Sequence, residues 1–164
     1  MGLRDDLEQR LRSLHAASAV MPMSVHVSDA SGITLQLDLS QLDSMSCAFS
    51  ELSLFVPKLR NAPFDVLKRW ATALSQRVSY LLEKIGPLEF DPKNGQVLIR
   101  STPPNTLSSG TQYYEIMLSS SGNGTFVLKR FKSIAGQPGR QAVDIQVTHE
   151  VLLKLVDDLI DTIP

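Results

Sequence analysis

Leu3, Leu7, Leu11 and Leu14 recur at spacings of four, four and three, which lines them along one side of a helix. Asp5 and Asp6 fall in its first turn, where acidic groups suit the helix dipole, and Pro22 bars any continuation. The period then switches to two. Met23, Val25 and Val27 alternate with Ser24, His26 and Ser28, and after Asp29-Ala30-Ser31-Gly32 the alternation resumes through Ile33, Leu35, Leu37 and Leu39. This pattern predicts a hairpin of two half-buried strands. A third run from Cys47 to Val56 carries Cys47 and Phe49, then Leu52, Leu54 and Val56. The change of parity between Phe49 and Leu52 points to a bulge, and Pro57 closes the run.

The period returns to helical at Pro63, a residue suited to a first helical turn. Leu67, Ala71, Leu74, Val78, Leu81 and Ile85 form a stripe that ends at Gly86-Pro87, predicting one long helix of roughly 35 Å. Trp70 and Tyr80 lie at the margins of this stripe and are expected to be buried with it. A second strand region follows. Leu88 and Phe90 are separated from Val97 and Ile99 by a turn containing Asn94-Gly95. Residues 101–110, with two prolines and no periodicity, predict a loop. Tyr113 to Leu118 and Thr125 to Ser133 predict a hairpin around Ser119–Gly124, and Ala142 to Val147 a last strand. Thr148 is placed to cap a final helix, with Leu152, Leu155, Val156, Leu159 and Ile163 on its apolar face. Asp157, Asp158 and Asp161 form its polar face, read as solvated surface, although acids near a helix C-terminus oppose the dipole and the sequence shows no compensation.

The expected fold is therefore a single α+β domain spanning residues 1–164. It consists of an N-terminal helix, three antiparallel strands, a long central helix, about five further antiparallel strands and a C-terminal helix. A loose echo relates residues 22–85 to 86–164. Neither crossover units nor a glycine-rich strand-to-helix turn appears, which argues against a nucleotide-binding doubly wound sheet.

Composition narrows the function. Lys and Arg number 16 against 17 Asp and Glu, a net charge of -1, whereas domains built mainly to grip nucleic acid are usually strongly basic. Charges interrupt every apolar run near the N-terminus and the single Cys47 permits no internal disulfide, so a reducing cytoplasm and no membrane are expected. His15, His26 and His149 are isolated, without the spacing of a helical zinc site. Cys47, in an apolar strand, reads as an inert buried thiol. The acid pairs Asp5/Asp6 and Asp157/Asp158 diverge around their helices and cannot converge on one atom. Gly122-Asn123-Gly124 has no following helix to hold a phosphate. No catalytic residue, metal or cofactor is expected.

Two readings lead, beside a third in which an enzyme assembles its residues in space, as a pocket holding His26 or His149 beside a carboxylate would indicate. The strand from Phe126 to Lys132 carries Lys129, Arg130 and Lys132 beside Phe126 and Phe131, with Tyr113 and Tyr114 on the neighbouring arm and Arg100 and Arg140 near in sequence. Bases stack on aromatic rings while cations hold phosphates. Tyr113, Lys129, Arg130, Phe131 and Lys132 are thus a candidate surface for single-stranded nucleic acid, and four strands before a helix resemble the Whirly and Pur families in topology. Strand alternation, however, puts Phe126, Leu128 and Arg130 on one face and Val127, Lys129 and Phe131 on the other.

The second reading comes from the N-terminal helix, three strands, the central helix and the segment LLEKIGPLEFDPKNGQVLIRS. Over about residues 1–101 this arrangement resembles the type III secretion chaperone family and its YbjN-like relatives, where the central helix gives way to a glycine, a short strand, an acidic turn and another strand. The resemblance implies a small α+β homodimer that binds an extended segment of a client protein on apolar patches, with neither enzymatic activity nor a cofactor. The leading expectation is a non-enzymatic, chaperone-like protein-interaction module, homodimeric, with an unknown protein partner.

Overall fold

The computed structural model describes residues 2–82, 88–101, 105–107, 110–122, 124–134 and 136–164. Helix α1 (Leu3–Ala16) precedes strands β1 (Met23–Ser28), β2 (Thr34–Leu42) and β3 (Ser46–Val56). A 3₁₀ turn (Pro57–Leu59) leads into α2 (Phe64–Arg77) and the one-turn α3 (Ser79–Leu82). Then come β4 (Glu89–Asp91), β5 (Gln96–Arg100), β6 (Asn105–Leu107), β7 (Gly110–Ser119), β8 (Gly124–Ile134), β9 (Gln141–Val143), β10 (Ile145–Thr148) and α4 (His149–Thr162). All strands join one antiparallel sheet of order β1-β2-β3-β8-β7-β5-β4. The two halves of the chain thus meet where β3 pairs β8.

Alternation decides which face is covered. Val25, Leu37, Leu52, Leu128, Ile116 and Ile99 lie in one row across six strands, and all are buried. Above this face, Leu3, Leu7 and Leu11 of α1, Leu67, Trp70, Ala71 and Leu74 of α2, and Leu152, Leu155, Val156 and Leu159 of α4 complete one connected apolar cluster. Helix α4 touches both α1 and α2, while α1 rides on β1 and β2 and α2 on β5 and β7. Thr148 caps α4 as its sequence predicts, its hydroxyl accepting from the Val151 N–H at 3.2 Å.

The bulge expected in β3 is present. Glu51 opposes Asp38 and Phe49 opposes Leu39, leaving Ser50 as the extra residue. There β3 changes partner: residues 52–56 pair β8, and residues 46–49 pair β10. The predicted last strand is split at Asp144, because its first part pairs β8 and its second pairs β3. Asp144 is held at the split by the Ser40 hydroxyl, 2.8 Å away. The predicted loop over residues 101–110 contains β6, a short strand on β7. At the Asn94-Gly95 turn only Gly95 takes a positive φ (63°), while the Asp91 carboxylate holds the Asn94 amide. The loop is therefore longer than the two-residue form the dipeptide favours.

The long central helix is corrected. It stops at Arg77, with Val78 at φ −101° and ψ 17°, and only one turn follows. Val78 and Ser79 are poor helix formers, and Val78 is fixed by its burial in the core. The predicted continuation to Ile85 and the Gly86-Pro87 stop lie outside the described residues. Trp70 is buried as expected, but Tyr80 is 37% exposed.

Candidate functional site

The three main helices cover one face of the sheet, and among the described residues no helix packs on the other. Residues that point to this second face are read from the register. Val127 of β8 stands beside Met117 of β7, which stands beside Leu98 of β5. Phe55 of β3 lies one step along, beside Thr125. All four apolar side chains are partly exposed, whereas their neighbours along each strand, on the covered face, are buried. The result is an apolar band across four adjacent strands.

A row of charge borders the band. Lys129 is paired with Glu51 at 3.2 Å, and the Ser53 hydroxyl donates to the same carboxylate at 3.0 Å. Beyond it, Glu115 is the most enclosed charge of the row, its side chain 11% exposed. Arg140 donates to both its oxygens, at 2.8 and 3.3 Å, and Arg100 Nε to Oε1 at 3.2 Å. Arg140 also donates to the Tyr113 hydroxyl at 3.2 Å and lies 3.7 Å from the centre of the Phe131 ring. The Tyr113 and Phe131 rings are 5.9 Å apart. The hydrogen bond to Glu115, then that to Tyr113, holds Arg140 above the usual guanidinium range.

The candidate nucleic-acid residues are divided as alternation dictates. Tyr113, Lys129 and Phe131 share the uncovered face, but Phe131 is buried there with Arg140 against its ring and offers no stacking platform. Arg130 and Lys132 point to the other side, where Arg130 lies 5.0 Å from the Tyr114 ring. Its buried Nε has no partner among the described residues. On the uncovered face, Glu51 and Glu115 pair with Lys129, Arg100 and Arg140, so the face is mixed in charge and not a cationic track.

A second polar cluster escaped the sequence pattern. The aspartates of α4, read as solvated surface, have cationic partners. Arg4 reaches Asp157 at 3.2 Å, and Arg77 reaches Asp161 at 3.3 Å. Asp158 is 5% exposed and accepts from Arg77 Nη2 at 2.7 Å, Arg77 Nε at 3.2 Å and the Tyr80 hydroxyl at 2.7 Å. Lys154 lies 4.1 Å from the Tyr80 ring centre. Here is the compensation for acids near a helix C-terminus: the neighbouring helices α1 and α2 supply it. Burial holds the Asp157 carboxyl above the usual range, with Arg4 opposing. The cluster joins α2 and α3 to α4.

Cys47 is 4% exposed and burial pushes its thiol up to about 11. Its unfolded value is near 9.0, so its contribution to stability is intact below pH 9 and lost as pH rises through about 11. At pH 8 the native protein is expected to resist a thiol reagent such as dithiobisnitrobenzoate and to react fully in denaturant. Rapid labelling without denaturant would contradict the burial. His149 is used structurally, its Nε2 3.1 Å from the Ser46 carbonyl oxygen, and His15 and His26 are exposed. Among the described residues no three His, Cys, Asp or Glu side chains gather as a metal site, and no helix is long and apolar enough to cross a membrane. Compared with protein-family models, curated proteins and solved structures, the chain finds no match.

Proposed function

We propose that the protein is a non-enzymatic, chaperone-like interaction module that holds a client protein across the uncovered face of its sheet. One observation carries this reading: helices cover one face, and the other offers the Phe55, Val127, Met117 and Leu98 band beside paired charges of both signs. An apolar band removed from water on contact supplies affinity. A rim of paired charges supplies register and discriminates against wrong partners. The occupant that fits is a protein segment with apolar side chains flanked by both acid and base. A polyanion would meet Glu51 and Glu115 beside every cation of the row. In this reading the protein works in a reducing cytoplasm, with Cys47 an unpaired buried thiol.

A photo-crosslinking residue at Met117 in the native host is expected to give client adducts that a Val127→Glu change removes, while the same residue at Thr72, exposed on α2, gives none. Circular dichroism establishes that the Val127→Glu protein is folded. A labelled single-stranded oligonucleotide is expected to show no anisotropy change at low salt. Adducts indifferent to Val127→Glu, or salt-sensitive oligonucleotide binding, would overturn the reading, the second in favour of nucleic acid.

A further inference from the structure

We infer that β1 is a self-association edge, along which two copies of this chain pair antiparallel about a two-fold axis at His26. This names a surface for the homodimer expected of such a module and is independent of what the uncovered face binds.

The turn after β1 fixes which backbone groups point outward. Asp29 N–H donates to the Ile33 carbonyl at 3.0 Å and the Asp29 carbonyl accepts from Gly32 N–H at 3.1 Å, so the Asp29 backbone faces β2, and inward- and outward-facing residues alternate down an antiparallel ladder. Val27, Val25 and Met23 therefore direct their amides and carbonyls to Leu35, Leu37 and Leu39 of β2. Those of Ser24, His26 and Ser28 point out of the sheet, and no described segment pairs with them. Unpaired edges invite association, and proteins usually guard them with charge, proline, bulges or shortness. The opposite edge is guarded: β4 is three residues long, two of them acidic. The sequence of β1, Met-Ser-Val-His-Val-Ser, has none of these devices.

The register identifies a second copy as the occupant. Directly opposed residues share a face, so a two-fold axis passes through a residue. With the axis at His26, Ser24 opposes Ser28 at both ends and His26 opposes itself, so every outward residue donates and accepts. Val25 then opposes Val27 on the covered face, in the closer non-bonded pairs. With the axis at Val25, Ser28 would face Pro22, which has no N–H to give. The helix layer also continues. Because α1 rides on β1 and β2, two copies would set their α1 helices side by side at about 10 Å, a normal packing distance. The outer flank of α1 beside Val27 and Ser28 carries Asp6 and Arg10, one helical turn apart, so antiparallel helices bring the acid of one copy toward the base of the other.

Light scattering of the wild-type chain is expected to give twice the 18.1 kDa of one copy at micromolar concentration. His26→Lys, at an exposed position, sets two ammonium groups opposite each other; it should leave the circular dichroism spectrum unchanged and weaken the dimer about fivefold. In a Cys47→Ala background, His26→Cys should form a disulfide-linked dimer on mild oxidation. Ser24→Cys and Ser28→Cys should each fail alone and cross-link when mixed. A monomeric wild type, a dimer indifferent to His26→Lys, or a cysteine pattern outside this register would overturn the inference. A monomer that still gives Met117 adducts would sink the pairing and leave the client reading standing; a dimer without adducts would do the reverse.

Discussion

Replacing Trp70 with alanine is expected to destabilise the protein by about 4 kcal/mol, the range for an aromatic side chain removed from a packed core. Trp70 has no exposed surface, stands at the centre of α2's buried face and packs 6.4 Å, ring centre to ring centre, from Phe126 of β8. Its indole N–H donates to the Thr162 hydroxyl at 3.2 Å, and that hydroxyl donates in turn to main-chain carbonyls of α4. One side chain therefore ties together α2, α4 and the middle of the sheet. Alanine leaves a void that three rigid elements cannot close, and it orphans part of the Thr162 arrangement. At roughly 2–4 °C per kcal/mol for a chain of this size, the unfolding midpoint should fall by about 10 °C. Trp70→Phe keeps most of the ring and loses the N–H, so it should cost about 1–2 kcal/mol. Calorimetry or urea titration of both variants checks the pair. A loss below about 1.5 kcal/mol for alanine would mean the core relaxes around the gap.

The covered face of the sheet was legible because one physical signal controls it. Leu35, Leu37 and Leu39 alternate with polar residues, and Leu3, Leu7 and Leu11 repeat at helical spacing; all six are buried, while Leu14 and Met23, at the ends of their runs, are only partly so. The parity change at Phe49–Leu52 could be read as a bulge for the same reason. Helix length was less legible. The stripe through Val78 to Leu81 keeps helical phase, yet it says nothing of the backbone, and the local preference of Val78 and Ser79 interrupts α2.

The uncovered face was only half legible. Alternation correctly divided Lys129 and Phe131 from Arg130 and Lys132. It could not say that Arg100 and Arg140 would converge on Glu115, because cross-strand neighbours depend on register, and register depends on loops of irregular length. Val127, Met117 and Leu98 belong to three separate runs. Each looks like an ordinary strand residue until the pairing β8-β7-β5 sets them in a row. A candidate site made by strand order leaves no contiguous motif, so neither charge nor motif marks it along the chain.

The same blindness hid Asp158, 81 residues from Arg77, and its removal is the second large expected effect. Asp158→Ala should destabilise the protein by about 2 kcal/mol, because a nearly buried carboxylate gathers hydrogen bonds from Arg77 and Tyr80 that fasten α2 and α3 to α4. The effect should not reach that of a fully buried ion pair, since the Arg77 side chain is half exposed and keeps Asp161 as a partner. A spectroscopic signature separates this role from mere packing. Burial first, and the Asp158 hydrogen bond second, hold the Tyr80 phenol above the usual tyrosine range. Its contribution to stability is then fully present below about pH 10, the unfolded tyrosine value, and is lost as pH rises through the higher folded one. Ultraviolet titration should find Tyr80 ionising late. That late step should be missing from Tyr80→Phe and should move to lower pH in Asp158→Ala, where the carboxylate no longer opposes the phenolate. If Asp158→Ala lowered the midpoint but left the late titration in place, the aspartate would be filling space at the α3–α4 junction and not holding Tyr80 there.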